Sequence, residues 1–371
     1  MTASNTGGTP FPALMRIRPG CLPDLPREMA DVGWLDKRLL IVSGGGPSGA
    51  LAEIARRSFE AAGVPVGTAT VTEGTVEECS RLAQRLIADD DELVIAIGGG
   101  RVLDSAKYAA CRVGIDWVAV PTTLANDGIT SPVASLLDRY GVRQSLAAGM
   151  PVGVLVDVAL IAAAPPATVR AGLGDLLSNL SAVHDWRLSE ARGQDRCDEF
   201  SALIAEQAAE SVMTIGELHG TRALGSLARG LIMSGLAMAI AGSSRPCSGS
   251  EHLVSHALDR RLDVPKNAHG LQVALASLLT LHLQEELTDD VVATYLRVGL
   301  PTTVAELRLS EDQLRRALEE APDTRPGRWT ILSDRTWSTR EFDDLLAATA
   351  ARVDGVRRRQ LRAEEATRTG S

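Results

Sequence analysis

Short apolar runs alternate with amphipathic stretches through the first half of the chain. Leu39–Val42 is a compact run of the kind that forms a buried strand, and it leads into the glycine-rich segment Gly44–Gly49. Helical periodicity follows over 50–62 and stops at Gly63. Val64–Val71 reads as a second strand, and Val76–Ala88 as a helix with Thr75 placed to cap it. Leu93–Ile97 is a third strand running into Gly98–Gly100, with helix from Leu103, and Trp117–Val120 is a fourth strand ended by Pro121. Strands and helices in regular alternation predict a parallel α/β sheet. Beyond Pro165–Pro166 the pattern changes. Ala, Leu and Arg dominate, and helical periodicity runs almost to the end, where the polar residues after Arg357 read as a frayed tail. The predicted organisation is an α/β dinucleotide-binding domain over 1–165 and an all-helical domain over 166–371, with no internal repeat.

Composition narrows the possible functions. A chain of 371 residues can build two cores. A net charge of -9, with no basic run, disfavours nucleic acid as a partner. No apolar run is expected to approach the roughly 18 residues that cross a bilayer. The longest, Val273–Leu281, fits a buried helix, and the first residues do not pattern as a signal peptide. Cys21, Cys79, Cys111, Cys197 and Cys247 are scattered and odd in number, so neither a disulfide scaffold nor a cysteine zinc knot is predicted. A reducing cytoplasm is the expected compartment.

Several segments carry chemistry. Gly44, Gly46 and Gly49 form a G-x-G-x-x-G between a strand and a helix, but no acidic residue stands where a ribose would need one, so a plain tight turn is an equal reading. The second cluster, GGGRVLDSAK over 98–107, lets backbone approach an anion at a helix N-terminus. Asp104 is expected in the first turn of that helix, where a carboxylate suits the helix dipole. PTTLANDGITSP over 121–132 lies after the fourth strand, at the carboxyl edge where open α/β sheets bind ligands. Three of the six histidines, His252, His256 and His269, fall within Glu251–Gly270. His252 and His256 are four apart, on one helix face, which suits a metal. Asp175, in AGLGDLLSN, is the nominated carboxylate, with a helix starting at it and a helix cap as its competing role.

With AGLGDLLSNLSAVHDW (171–186), RPCSGSEHLVSHALD (245–259), AHG (268–270) and RPGRWTIL (325–332), these segments make the chain resemble the sn-glycerol-1-phosphate dehydrogenases. That family sits among the iron-containing alcohol dehydrogenases, glycerol dehydrogenases and dehydroquinate synthases. The resemblance implies a dehydroquinate synthase-like fold. It implies a divalent metal on Asp175, His252 and His269, with zinc first and iron or nickel as alternatives. It places Asp175, His256 and Asp127 in the catalytic set, the last two against substrate. It assigns NAD or NADP to Gly98, Gly99, Gly100, Arg101, Asp104, Thr122, Thr123, Ala125 and Ser131. Ala125 stands where the family often has Ser.

The implied reaction is reduction of a phosphorylated ketone, dihydroxyacetone phosphate, to sn-glycerol 1-phosphate. A metal would polarise the carbonyl and a nicotinamide would deliver hydride. Arg245 and Lys266 are candidates for the phosphate. A relative acting on another keto or hydroxy substrate, a dehydroquinate synthase-like lyase and an inactive binding protein are the competing readings. A homo-oligomer with a small-molecule substrate, and no nucleic-acid partner or membrane span, is the expected arrangement.

Overall fold

A computed structural model of the chain describes residues 11–216 and 220–369. It divides into two compact units: the described residues up to Pro165 together with Gly220 to Ser243, and those of 166–218 and 244–371. A break follows Pro165, and the segment ending at Ser243 returns to the first unit, so it interrupts the run expected to be one helical domain.

The first unit holds eight strands: β1 (Leu14–Arg18), β2 (Leu39–Ser43), β3 (Val66–Thr70), β4 (Leu93–Gly98), β5 (Asp116–Pro121), β6 (Val133–Leu137), β7 (Arg143–Ala147) and β8 (Gly153–Asp157). Six form one sheet in the order β1-β8-β5-β4-β2-β3, with every pairing parallel. β2, β4 and β8 are buried along their whole length, as parallel strands covered on both faces must be. β6 and β7 make a separate antiparallel hairpin, its turn closed by the Asp138 carboxylate accepting from the N–H groups of Tyr140 and Val142. Four strands were expected; β1, β6, β7 and β8 are additions.

The strand order places the ligand edge. From β2 the chain steps outward to β3, then crosses back to β4 on the other side of β2. The carboxyl ends of β2 and β4 therefore flank a topological switch point, where open α/β sheets bind ligands. Both glycine clusters emerge there. They are neighbours, since a Cβ on Gly44 would lie 3.3 Å from Val102 Cγ2.

The helix Thr221–Ala241 packs on β1, on the helix Val158–Ala162 and on the turn Asp127–Ile129. It amends one expectation. By length and composition it could cross a membrane, yet 61% of its most apolar window is buried inside the protein.

The second unit is helical among its described residues. Its core gathers Leu253, Val254, Leu275, Leu279, Leu314, Leu318 and Phe342 from four helices, Ser250–Arg260, His269–Leu283, Glu311–Thr324 and Thr339–Thr369. The apolar run Val273–Leu281 is buried within one of these helices, and the tail expected to fray after Arg357 continues as helix to Thr369.

Candidate active site

In the first unit the helix after β4 begins at Gly100 rather than Leu103, with extended Gly99 as its cap residue. The opening N–H groups of a helix have no acceptor within it, so they face whatever lies beyond β4. Asp104 consequently falls past the first turn. It is buried, and its carboxylate pairs with Lys107 Nζ at 3.2 Å instead of meeting the helix end. Burial raises the Asp104 pKa against the pull of Lys107.

Lys107 organises this region. Its side chain is fully buried, and its ammonium donates to the carbonyls of Gly128 and Val133, both at 2.8 Å. One cation thus ties the helix to both ends of the loop 128–133. Thr130 anchors the same loop from the other side, its hydroxyl within bonding distance of the Leu231 and Ile232 carbonyls. Gly235 is small for this reason, because a side chain there would overlap Thr130.

The proposed cofactor residues take distinct positions. Thr122 N–H donates to the Gly98 carbonyl at 3.0 Å, and Thr123 Oγ1 lies against Gly99, so the 98–100 and 121–126 turns face each other. Ala125 is half-buried in that turn. Ser131 is buried, and its hydroxyl donates inward to the Val133 carbonyl at 3.2 Å. Arg101 reaches over Gly74 to the Thr72 carbonyl at 2.6 Å. Asp127 is half-buried, and its carbonyl accepts from the N–H groups of Thr130 and Ser131.

In the second unit three side chains converge. Asp175, His252 and His269 each offer a ligand atom, all within 4.8 Å of one another. The Nε2 atoms of both histidines lie 3.7 Å from Asp175 Oδ1. Asp175 is 3% exposed and sits in the last turns of the helix Pro166–Leu177, so it neither starts nor caps a helix. The helices bearing Asp175 and His269 meet at two glycines. A Cβ on Gly174 would overlap the Gly270 carbonyl, and one on Gly270 would overlap the Ala171 carbonyl. That crossing explains the glycines of AGLGD and AHG.

Both histidines of this cluster are oriented by a partner at Nδ1. His252 Nδ1 lies 2.9 Å from Glu251 Oε1, a fully buried carboxylate that also accepts from Gly249 N–H. A carboxylate can only accept, so Nδ1 carries a proton and Nε2 is the nitrogen turned toward Asp175. The Ser255 hydroxyl donates to Gln272 Oε1 at 2.8 Å, so at 2.9 Å it accepts from His269 Nδ1–H. Two inward Nε2 atoms and one carboxylate could hold a metal with positions left open, and an outer partner orients each ring. Burial disfavours charge on His252, but Asp175 and Glu251 outweigh it and lift its pKa to about 10. The pocket therefore favours a cation. Ser255→Ala is expected to weaken metal affinity 10- to 100-fold or thereabouts, while Leu253 and Val254 stay packed. Chelator competition measures this, and unchanged affinity would show that Ser255 does not orient His269.

His256 stacks on His269 with ring centroids 5.9 Å apart and lies outside the ligand triad. Burial, then the charges of His269 and His252, push its pKa well down, so it is neutral at pH 7. Asp185 belongs to the HDW end of the 171–186 segment, and the sequence assigned it no role. It is fully buried and accepts from the N–H groups of Ser250 and Ile331, at 2.6 and 2.7 Å, fastening RPGRWTIL to the start of the histidine helix. Burial, with Glu251 nearby, pushes it up to about 6. Of the two phosphate candidates, Arg245 is engaged by Asp195 at 2.6 Å, and Lys266 is exposed and donates to the Asp259 carbonyl.

The profile of the iron-containing alcohol dehydrogenase family matches residues 16–165. Among curated proteins, the glycerol-1-phosphate dehydrogenase [NAD(P)+] of Hyperthermus butylicus is 39% identical over 290 residues, covering 76% of this chain and 80% of that protein. The protein of the same name from Thermococcus kodakarensis is 38% identical over 311 residues, covering 82% of this chain and 87% of its own. Among solved structures, a probable glycerol dehydrogenase from Sinorhizobium meliloti superposes with a TM-score of 0.73 at 24% identity, covering 93% of this chain and 98% of that one. The last shows the fold alone. Together with the converging Asp175, His252 and His269, the curated relatives show that this chain belongs to the glycerol-1-phosphate dehydrogenase family of the iron-containing alcohol dehydrogenases.

Proposed function

We propose that this chain reduces dihydroxyacetone phosphate to sn-glycerol 1-phosphate with NADH or NADPH, in the cytoplasm. The observation that carries the reading is the triad of Asp175, His252 and His269, with both histidine rings oriented by Glu251 and Ser255. The names of the curated relatives support the phosphorylated substrate and both nicotinamides.

The triad would hold zinc, and the first unit would hold the cofactor at Gly98, Gly99, Gly100, Arg101, Asp104, Thr122, Thr123, Ala125 and Ser131. When bound, the metal supplies a Lewis acid for the ketone oxygen and the nicotinamide supplies hydride. The chain's own groups do the rest. Glu251 and Ser255 keep the two Nε2 atoms turned inward. His256, neutral at pH 7, takes the hydroxyl proton in the oxidising direction and returns it in the reducing direction. Lys107 and Thr130 hold the loop behind the cofactor residues rigid.

The test is loss of absorbance at the reduced-nicotinamide band when zinc-loaded protein meets dihydroxyacetone phosphate. Consumption of one NADH or NADPH per alcohol formed is the expected result. No net consumption of either cofactor would overturn the reading.

A further inference from the structure

Arg245, Arg325 and Arg328 gather near Ser244 in the second unit, and only one of them is neutralised. Arg245 is paired with the Asp195 carboxylate. Arg325 and Arg328 each donate to the same oxygen, Ser244 Oγ, both at 2.9 Å. Arg328 also donates to the Ser248 carbonyl. None of these acceptors carries charge, and among the described residues no carboxylate lies within ion-pair distance of either guanidinium.

That arrangement is costly as it stands. Arginine is rarely buried without a paired charge, yet Arg328 is 7% exposed. Two like charges converging on one neutral oxygen repel each other, and the site becomes favourable when an anion joins them. Burial, with Arg325 and Arg245 adding to it, outweighs the pull of the more distant Glu251 and Asp195 carboxylates and pushes Arg328 down to about 9. Arg325 is exposed, so an anion can arrive from solvent. The site also adjoins the histidines. Ser248 lies just before the helix Ser250–Arg260, which carries His252 and His256.

We propose that Arg325 and Arg328 form a phosphomonoester site that grips the phosphate of the substrate. Two guanidinium forks aimed at one point suit a tetrahedral dianion, which offers several acceptor oxygens. The inference rests on the reading that the substrate is a phosphorylated ketone, and it replaces Arg245 and Lys266 in that role.

The experiment uses full-length, zinc-loaded protein with Arg325→Ala and Arg328→Lys. The Arg325 variant removes an exposed side chain, and the Arg328 variant keeps the buried charge but loses the fork. Bound zinc equal to wild type verifies that each has folded. Two quantities are measured: the ratio of kcat/KM for dihydroxyacetone phosphate over dihydroxyacetone, and the affinity for inorganic phosphate by calorimetry. Each variant is expected to lower the ratio on the order of 10- to 100-fold and to weaken phosphate binding in parallel. Wild-type ratio and wild-type phosphate affinity in both variants would overturn the site. So would an equal loss with both substrates, which would give the arginines a purely structural role. So would a rise in KM confined to NADPH, which would assign them to the cofactor. Should wild-type protein fail to reduce dihydroxyacetone phosphate, the proposed function falls, and phosphate affinity alone decides the site. Weaker binding in Arg325→Ala supports it, and unchanged binding overturns it.

Discussion

Replacing His252 by alanine is expected to empty the metal centre and abolish turnover while the protein stays folded. The imidazole supplies one of two inward Nε2 atoms, and its loss leaves Asp175 and His269 alone. Glu251 would keep Gly249 N–H as a donor, so the turn before the helix survives. Leu253 and Val254 hold the helix in its core independently of the ring. A Lewis acid contributes several kcal/mol to a developing oxyanion, so turnover should fall about 10³-fold or more. Metal content by elemental analysis and NAD(P)H consumption should fall together. His256→Ala is the matched comparison, because that ring lies outside the triad. It should retain the metal and lose on the order of 10²- to 10⁴-fold in rate. Full metal occupancy in His252→Ala would remove His252 from the ligand set.

The second large effect is expected from a residue with no chemistry at all. Gly270→Ala adds one methyl group, yet that methyl would overlap the Ala171 carbonyl oxygen, its carbonyl carbon and its Cα. These are backbone atoms of a facing helix, which cannot rotate away. The helices would have to part by roughly 1–2 Å to regain ordinary contact. Gly174 and Gly270 are packed reciprocally, so relief at one position disturbs the other. Overpacking of this kind costs about 3 kcal/mol. For a cooperative unit of this size, that corresponds to a fall in Tm of roughly 6–12 °C. The crossing also sets the 3.7 Å approach of Asp175 to His269. A 1 Å misplacement at a catalytic centre can reduce turnover about 100-fold. A wild-type Tm and full zinc occupancy in the purified variant would show that the helices can yield.

Some of this was legible in the sequence, and the reasons are local. β2, β4 and β5 were readable because LLIV, LVIAI and WVAV are compact apolar runs bounded by glycine or proline. β1 was not, because LMRIR lies at a sheet edge and only its first residue is buried. β8 was hidden differently. GVLVD continues directly into the apolar helix Val158–Ala162, and period alone cannot separate a buried strand from a buried helix.

At the site, His252 and His256 announced themselves through helical spacing. Asp175 could only be nominated, because the ligands come from three helices that nothing local brings together. Lys107 looked like the end of a glycine motif, and its role depends on carbonyls 21 and 26 residues away. Arg325 and Arg328 meet Ser244 across 81 and 84 residues, a separation that no windowed pattern registers. Gly174 and Gly270 mark a helix crossing that no local pattern signals.

The return of the helix Thr221–Ala241 to the first unit bears on how the protein is made. A chain leaves the ribosome from its N-terminus, and its domains generally fold as they emerge. The sheet of the first unit is complete once β8 has appeared. The loop after Asp127 is not, because Thr130 needs the Leu231 and Ile232 carbonyls, and Gly235 must slide in against it. By then Asp175 and the helices near it have left the ribosome, while His252 and His269, further along the chain, follow later. The nascent chain can therefore close its first unit before the second has Asp175, His252 and His269 all free of the ribosome.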